Sequence, residues 1–512
     1  MQDGILTSQQ LVMCYMQRTF QTQEYISSVM QLNPDVMTIA AKRDEQRKAG
    51  QVLGPLHGIP FTVKDNIATQ DSMETTAGSY ALLGSIVPRD AFVVARLRAA
   101  GAVLFGKSTM SEWADMRSTG YSEGYSPRGG QPRSPYNLVF NPMGSSSGSA
   151  VGVAANAIAF SLGTETDGSV ISPAHKNGVV GIKPTVGLTS RDGVIPECEH
   201  QDTVGTFGRT VRDAVYALDA IYGVDPRDEY TRNQSGKTPP SGGYAQYLTN
   251  KTSLQNATFG IPWNSFWAIA NEETKAQLGS LITLIQKNGG TIVNFTEITD
   301  HENVSEYFVV LVDFYNNIKT YLSGLQNTKM KSLEDIIKFN YENDGIEGGY
   351  PFDGNYTLSG RYKVFHGVPA FRTGQDGFLM SNATQGNRNE TYWKALNYTQ
   401  TTTRVGIDGA LNHTGKPLSG LLVPISVAQT YQIAAQAGYP MITIPAGVYS
   451  DTGMPFGLGI MQTEFAEVEL VRWASAIEDL QLTSGTSLRR TRPKWFRHLE
   501  RPIPISREPK GN

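Results

Sequence analysis

Glycine is concentrated in one stretch of this 512-residue chain. From Gly101 to Thr210 it supplies 17 of 110 residues, compared with 52 of 512 overall. The stretch includes the glycine and serine run 144–149, which leads directly into the small apolar segment 150–155. Such a run is ordinarily a flexible loop, but the segment after it is typical of a tightly packed helix. We therefore expect the run to be held between packed elements.

Charge and cysteine content exclude several classes of protein. There are 44 basic and 47 acidic residues, which gives a net charge of −3. The chain therefore lacks the excess of basic residues that is typical of a nucleic-acid-binding protein. No apolar run approaches the length of a membrane-spanning helix. Cys14 and Cys198 form no CxxC pair, and none of the seven histidines lies in an HExxH motif. We predict no nucleic acid, no membrane span, no metal and no cofactor.

Helix and strand patterns alternate along the chain. Thr7 opens a capping box with Gln10 and is predicted to begin the first helix. Two further helices are predicted, from Asp90 to Gly101 and from Thr210 to Gly223. A further helix is predicted over 466–480, and strands over 59–64, 102–105, 441–444 and 458–461. Cys14 is expected to pack in the first helix. The alternation predicts the α/β class.

The span from Asn233 to Asn412 is rich in Asn-x-Ser/Thr sequons. Ten of its 19 asparagines lie in one, although only 29 of its 180 residues are serine or threonine, so about three would arise by chance. The sequon asparagines are Asn233, Asn250, Asn256, Asn294, Asn303, Asn355, Asn382, Asn389, Asn397 and Asn412. They indicate a glycoprotein on the secretory route. The first residues carry no signal peptide pattern. Either the true N-terminus lies upstream of Met1, or the sequons are unused and the protein is cytoplasmic.

Three features together suggest chemistry. Lys64 ends a predicted strand, Ser145 lies 81 residues later in the small-residue run, and Ser169 follows after a further 24. This constellation resembles the amidase signature family. The segments that carry the resemblance are 58–67, 144–149, 163–174, 181–188 and 202–213. The resemblance covers roughly residues 5–223 and resumes from about 426 to 480.

The resemblance implies a fold and an activity. The fold would be a single α/β/α domain over 1–512, built around a large mixed β-sheet. Its signature half would be 1–223, a variable span at 224–425 would shape the substrate pocket, and 426–512 would supply the last strands and a helix. The activity would be hydrolysis of a linear amide C–N bond other than a peptide bond, in a small-molecule or peptide amide, to a carboxylate and ammonia or an amine. The oligomeric state is left open.

The resemblance also implies roles for particular residues. Ser169 would be the nucleophile, Ser145 the bridging serine after a cis peptide bond, and Lys64 the terminal base. The backbone N–H groups of Thr166, Asp167, Gly168 and Ser169 would form the oxyanion hole. A charged lysine accepts no proton, so Lys64 has to be neutral, which requires burial to depress its pKa from about 10.4 toward 7 or 8.

Four positions depart from the pattern of many family members. Met143 and Ser147 stand where glycine is usual in the serine signature, Asp167 replaces the first glycine before the nucleophile, and Ile171 replaces an arginine. The three triad positions are kept, so the departures bear on substrate preference. An acidic side chain beside the oxyanion hole is expected to disfavour anionic substrates.

Three alternatives are open at this point. The run 144–148 also fits GxSxG, the nucleophile elbow of α/β-hydrolase esterases, with Ser146 at its centre. Asn141 and Pro142 interrupt the strand that such an elbow requires. A tRNA-dependent amidotransferase subunit carries the same signature, and the −3 charge and the sequons count against it. An amide-forming relative would share the acyl-enzyme of the hydrolase.

Overall fold

A mixed sheet of 11 strands crosses the described part of the chain. The structure is a computed structural model that describes residues 1, 4–298, 305–347, 371–484 and 493. The strands are β1 (Val29–Leu32), β2 (Pro60–Lys64), β3 (Val103–Ser108), β4 (Phe160–Glu165), β5 (Val180–Lys183), β6 (Thr203–Gly208), β7 (Thr258–Ile261), β8 (Thr291–Asn294), β9 (Gly420–Pro424), β10 (Met441–Val448) and β11 (Pro455–Met461).

The strand order is β1-β3-β2-β4-β6-β5-β10-β11-β9-β7-β8. Strands β3, β2 and β4 run parallel to one another, as do β9, β7 and β8. The pairings between β4 and β9 through the middle of the sheet are antiparallel, and β1 is antiparallel to β3. The span 224–425 therefore contributes β7, β8 and β9 to the sheet.

Fourteen α-helices accompany the sheet in the described residues. They are α1 (Ser8–Ile26), α2 (Val36–Lys48), α3 (Phe92–Ala99), α4 (Ser147–Ala154), α5 (Ile171–Lys176), α6 (Val211–Ile221), α7 (Glu272–Lys287), α8 (Glu306–Ser323), α9 (Leu333–Glu342), α10 (Asp344–Glu347), α11 (Asp376–Thr384), α12 (Glu390–Leu411), α13 (Gln429–Ala437) and α14 (Glu467–Thr483). None of these helices is both long and apolar enough to cross a membrane.

Both faces of the sheet are covered. Successive strand residues point to opposite faces, and along β3 Leu104 belongs to the main hydrophobic core while Val103 and Phe105 belong to a second core with α1, α2 and α4. Every residue of β2, β3, β4 and β6 is buried, as is typical of strands with helices on both sides. The predicted α/β/α architecture around a large mixed sheet is confirmed.

Local sequence signals placed most of the predicted elements correctly. The predicted capping box at Thr7 and the predicted cap at Thr210 are both present, and the helix after Thr210 ends ahead of Gly223. Two details were wrong. Asp90 does not cap α3, because Ala91 is the N-cap residue and the Asp90 carboxylate pairs with Arg98.

Cys14 is the second correction, because it is exposed on α1. The side chain that α1 buries at this level is Val12, which is fully buried in the second core. The helical period therefore turns Cys14 toward solvent.

Helix α4 packs against backbone and depends on glycine at one position. A Cβ on Gly148 would overlap the Ser28 carbonyl oxygen and lie 2.5 Å from the Thr109 nitrogen. We expect Gly148→Ala to lower the free energy of unfolding by about 1–3 kcal/mol or more through overpacking, measured as a fall in the thermal denaturation midpoint.

The matched control is Gly279→Ala in α7, where a Cβ would meet nothing within 4 Å. Alanine should stabilise that helix by up to about 1 kcal/mol. Equal effects of the two substitutions would contradict the packing account.

Candidate active site

Lys64 is a fully buried lysine at the end of β2. Because β2 and β4 are parallel and Val63 pairs with Leu162, Lys64 faces the end of β4. Its Nζ donates to Thr164 Oγ1 at 2.8 Å and to the Thr164 carbonyl oxygen at 3.2 Å. Asn66 Nδ2 donates to the same Thr164 hydroxyl at 2.9 Å. The parallel pairing thus fixes the lysine against β4.

Ser145 lies between Lys64 and Ser169. Its Oγ is 2.6 Å from Lys64 Nζ and 3.0 Å from Ser169 Oγ, and the Gly144–Ser145 peptide bond is cis. Lys64 and Ser145 are fully buried, whereas Ser169 is 7% exposed. The structure therefore brings together the three residues that the resemblance selected, in a hydrogen-bonded chain that reaches solvent only at Ser169.

Burial changes the acid–base character of the lysine. Desolvation lowers the pKa of Lys64 to about 8, against the opposing effect of carboxylates that include Glu197, Asp115, Asp202 and Glu165. At pH 7 about one tenth of a lysine with this pKa lacks its proton, far more than of an unshifted lysine. Such a lysine is able to accept a proton from a neighbouring hydroxyl.

Gly168 gives the turn before Ser169 its shape. Its φ of +92° lies in the left-handed region that favours glycine, and a Cβ there would lie 2.5 Å from the Tyr431 ring. Both the backbone conformation and the aromatic contact therefore require glycine next to Ser169.

Glu165 holds the same turn from inside the protein. This fully buried carboxylate accepts the backbone N–H of Val170 at 2.7 Å and that of Ile171 at 2.9 Å. Burial raises the pKa of Glu165, while Lys183 and hydrogen bonds from the backbone of Ile171, Val170 and Gly168 lower it. One side chain thus fixes the backbone on both sides of Ser169. Sequence reasoning missed it, and its only signal is an acidic residue at the end of a buried strand.

Polar groups from distant elements hold the remaining part of the loop. Thr166 Oγ1 donates to Asp202 at 2.6 Å, and Gln201 Nε2 donates to the Thr166 carbonyl oxygen at 3.1 Å. Asp167 Oδ2 accepts from Gln432 Nε2 at 3.1 Å, and burial raises the pKa of Asp167 well above its usual range. The residues named for the oxyanion hole therefore lie in a rigidly held turn next to Ser169, and their role stays a prediction.

The segment after β3 supports the cis serine. Ser111 N–H donates to the Ser145 carbonyl oxygen at 3.0 Å, and the Gly144 backbone hydrogen-bonds to the Glu123 carboxylate. Between these contacts Trp113, Ala114 and Asp115 have φ values of 50°, 54° and 86°, which non-glycine residues rarely adopt. No motif in the sequence pointed to this segment.

Ser146 occupies a structural position. Its Oγ donates to the Thr164 carbonyl oxygen at 3.0 Å and accepts from the Thr164 N–H at 3.3 Å. Residues 131–146 contain no strand, whereas a nucleophile elbow requires one directly before the serine. The geometry expected of the GxSxG alternative is not present at Ser146.

One group of side chains has the spacing of metal ligands. Among the described residues, Glu199, His200 and Asp313 are the group whose ligand atoms lie within 4.8 Å of one another. Arg388 bridges the two carboxylates at 2.6 and 2.7 Å. Cys198 Sγ lies 3.2 Å from Asp313 Oδ2, and burial raises the pKa of this thiol well above its usual range. The guanidinium therefore supplies the positive charge of this cluster.

Comparison with known proteins agrees with the fold and the site. The sequence model of the Amidase family matches residues 10–345, and the chain belongs to this family, the amidase signature enzymes. It is an amide hydrolase.

Three relatives show how far the similarity extends. A Schizosaccharomyces pombe protein that carries an amidase name is 53% identical over 526 residues, covering 99% of this chain and 87% of the relative. The solved peptide amidase of Stenotrophomonas maltophilia is 34% identical with a TM-score of 0.82, covering 96% of each chain. A glutamyl-tRNA(Gln) amidotransferase subunit from Exiguobacterium sibiricum is 30% identical, covering 93% of this chain and 94% of the relative.

The contacts of Glu165 lead to a prediction for catalysis. Glu165→Ala leaves the Val170 and Ile171 N–H groups without their acceptor, so Ser169 should shift and kcat should fall about 100-fold, the size expected for a misplacement of about 1 Å. Glu165→Gln keeps one oxygen for both N–H groups and should retain most of the activity. Steady-state kinetics on a chromogenic amide measures both variants, and equal losses would argue against a positioning role.

Proposed function

We propose that this enzyme hydrolyses amides through Ser169, with Ser145 as proton relay and Lys64 as terminal base. The observation that carries the proposal is the hydrogen-bonded chain from a fully buried lysine to a serine that is 7% exposed. A serine hydroxyl is a weak nucleophile until a base takes its proton. The chain provides that base without exposing it to water.

The reaction proceeds in two halves. Ser169 Oγ attacks the carbonyl carbon of the amide while its proton passes to Ser145, whose own proton passes to Lys64. Collapse of the tetrahedral intermediate breaks the C–N bond, and the leaving nitrogen takes a proton returned from Lys64 through Ser145. Water then attacks the Ser169 ester while its proton passes through Ser145 to Lys64. The bond between the acyl carbon and Ser169 Oγ breaks, Ser169 Oγ takes that proton back, and the product acid leaves and ionises to the carboxylate.

Backbone groups would stabilise the negative charge on the attacked oxygen. N–H groups in the turn of Thr166, Asp167 and Ser169 are the candidates, and loss of one such donor typically costs about 3–4 kcal/mol in other enzymes. The Gly168 N–H interacts with the Glu165 carboxylate. We therefore assign Gly168 to shaping the turn and the other three residues to donation.

The acyl side of the substrate would be neutral or positively charged. Asp115 acts on Lys64 electrostatically, Glu123 lies against the Gly144 backbone, and Asp167 is two residues before Ser169. Position 171 is an isoleucine and adds no positive charge. A carboxylate close to the scissile bond would meet no positive charge from these side chains. The peptide amidase of Stenotrophomonas maltophilia makes peptide amides reasonable first substrates.

The nucleophile assignment predicts different outcomes for neighbouring serines. Ser169→Ala should lower kcat at least about 10³-fold. The substitution removes the hydroxyl that attacks the substrate and passes its proton to Ser145. Ser146→Ala, the matched control, removes hydrogen bonds to Thr164 and should remain active. Labelling with a fluorophosphonate, followed by peptide mapping, should modify Ser169 alone. Modification of Ser146 in the parent enzyme would refute the assignment.

The neutral-lysine mechanism predicts a pH dependence. The pKa of Lys64 is lowered to about 8, so its proton-accepting form dominates above that pH and is lost below it. We expect kcat/KM to fall about tenfold per pH unit on the acid side of this value.

A second buried lysine provides the control for the change of slope that we expect in the kcat/KM profile near pH 8, the inflection. Burial also lowers the pKa of Lys183 to about 8, but its Nζ donates to the carbonyl oxygens of Pro184 and Tyr439. Lys183→Met should therefore keep the inflection. A flat kcat/KM profile from pH 9 to pH 5 in the parent enzyme would rule out the mechanism.

A further inference from the structure

The sequon asparagines lie on the surface of the fold. Of the ten, Asn303 and Asn355 lie outside the described residues, seven of the other eight are exposed, and Asn382 is half-buried. In the same span nine asparagines are not in sequons, and four of these are exposed. The sequon asparagines are therefore exposed more often than the other asparagines of this span, at positions where a bulky glycan has room.

Helix α12 carries two of these sequons on one stripe. Asn389 is its N-cap residue, and Asn397 lies eight positions further on. Residues four apart on a helix lie one above the other, so Trp393 stands between the two asparagines. Trp393 is 52% exposed, although tryptophan is highly buried on average. The stripe thus places an exposed indole between two glycan acceptor positions.

We propose that Asn389 and Asn397 carry asparagine-linked glycans that cover Trp393. The donor would be a lipid-pyrophosphate-linked oligosaccharide. Asparagine Nδ2 bonds to the anomeric carbon of the sugar, the anomeric C–O bond breaks, the lipid pyrophosphate leaves with the electron pair, and Nδ2 loses one proton. This modification requires that the chain enters the secretory route.

The helix cap is compatible with the modification. Asn389 Oδ1 accepts the Tyr392 N–H at 3.1 Å, whereas the sugar would be attached at Nδ2. The cap bond therefore remains in a glycosylated chain.

The inner face of α12 stays clear of the sugars. Tyr392, Leu396 and Thr399 are buried, and the Tyr392 hydroxyl donates to Asp313 at 2.7 Å. The acceptor asparagines lie on the opposite, exposed side. The proposal is therefore independent of the catalytic assignment.

The timing of the modification follows from burial. Thr399, the hydroxyl residue of the Asn397 sequon, is 3% exposed. An enzyme that reads the sequon has no access to this threonine once α12 has packed. Transfer to Asn397 therefore has to precede folding, whereas Thr391 of the Asn389 sequon is exposed and stays accessible.

The test is a glycan map of the native protein. The protein is purified from the organism that encodes it and treated with peptide N-glycosidase in heavy-oxygen water, and mass spectrometry identifies each asparagine converted to labelled aspartate. We expect label at Asn389 and Asn397 and none at Asn387, an exposed asparagine outside any sequon. If either Asn389 or Asn397 is unlabelled in the native protein, the proposal is overturned.

Variants directed through the secretory pathway of a yeast host separate the sugar from the cap. Thr391→Ala destroys the Asn389 sequon but keeps the cap residue, so the glycan at Asn389 should disappear while that at Asn397 remains. Thr391→Ser keeps the sequon and should keep the glycan.

The shielding role has its own measurement in this host. Enzymatic removal of both glycans should increase quenching of Trp393 fluorescence by acrylamide, with Trp393→Leu as the reference that lacks this signal. Equal quenching before and after removal would overturn the shielding role.

Discussion

The burial of Lys64 is the constraint on which the rest of the site depends. A lysine acts as a base only without its proton, and removal from water favours that form. Strand β2 achieves this because it lies between β3 and β4, with every residue buried. The polar groups that meet Nζ are the hydroxyls of Ser145 and Thr164 and one carbonyl oxygen. The interior of the sheet thus supplies the basicity, and the turn at Ser169 supplies access to the substrate.

Local signals in the sequence were sufficient for much of this arrangement. The capping boxes, the strand ending at Lys64 and the small-residue helix after Ser146 depend on neighbours within a few residues. Lys64, Ser145 and Ser169 were selected by resemblance, and the structure brings them within hydrogen-bonding distance.

Long-range contacts were beyond the reach of the sequence patterns. Asp90 has the chemistry of a helix cap, but Arg98 and the Gln70 N–H compete for its carboxylate. Glu165 and Ser111 are ordinary polar residues until the fold turns them toward the backbone around Ser169 and Ser145. Their roles depend on contacts with groups that are distant in the sequence, and hydrophobic periodicity does not show which distant groups meet.

The contact between Gly168 and Tyr431 joins two parts of the chain that are synthesised far apart in time. Tyr431 follows Ser169 by 262 residues, and β10, which pairs with β5, comes later still. At about 5–20 residues per second a ribosome needs roughly 13 to 50 seconds to cover that distance. During that interval the growing chain already contains all three triad residues but lacks the aromatic wall of the turn. The turn at Ser169 therefore acquires its complete surroundings only after most of the chain has been synthesised.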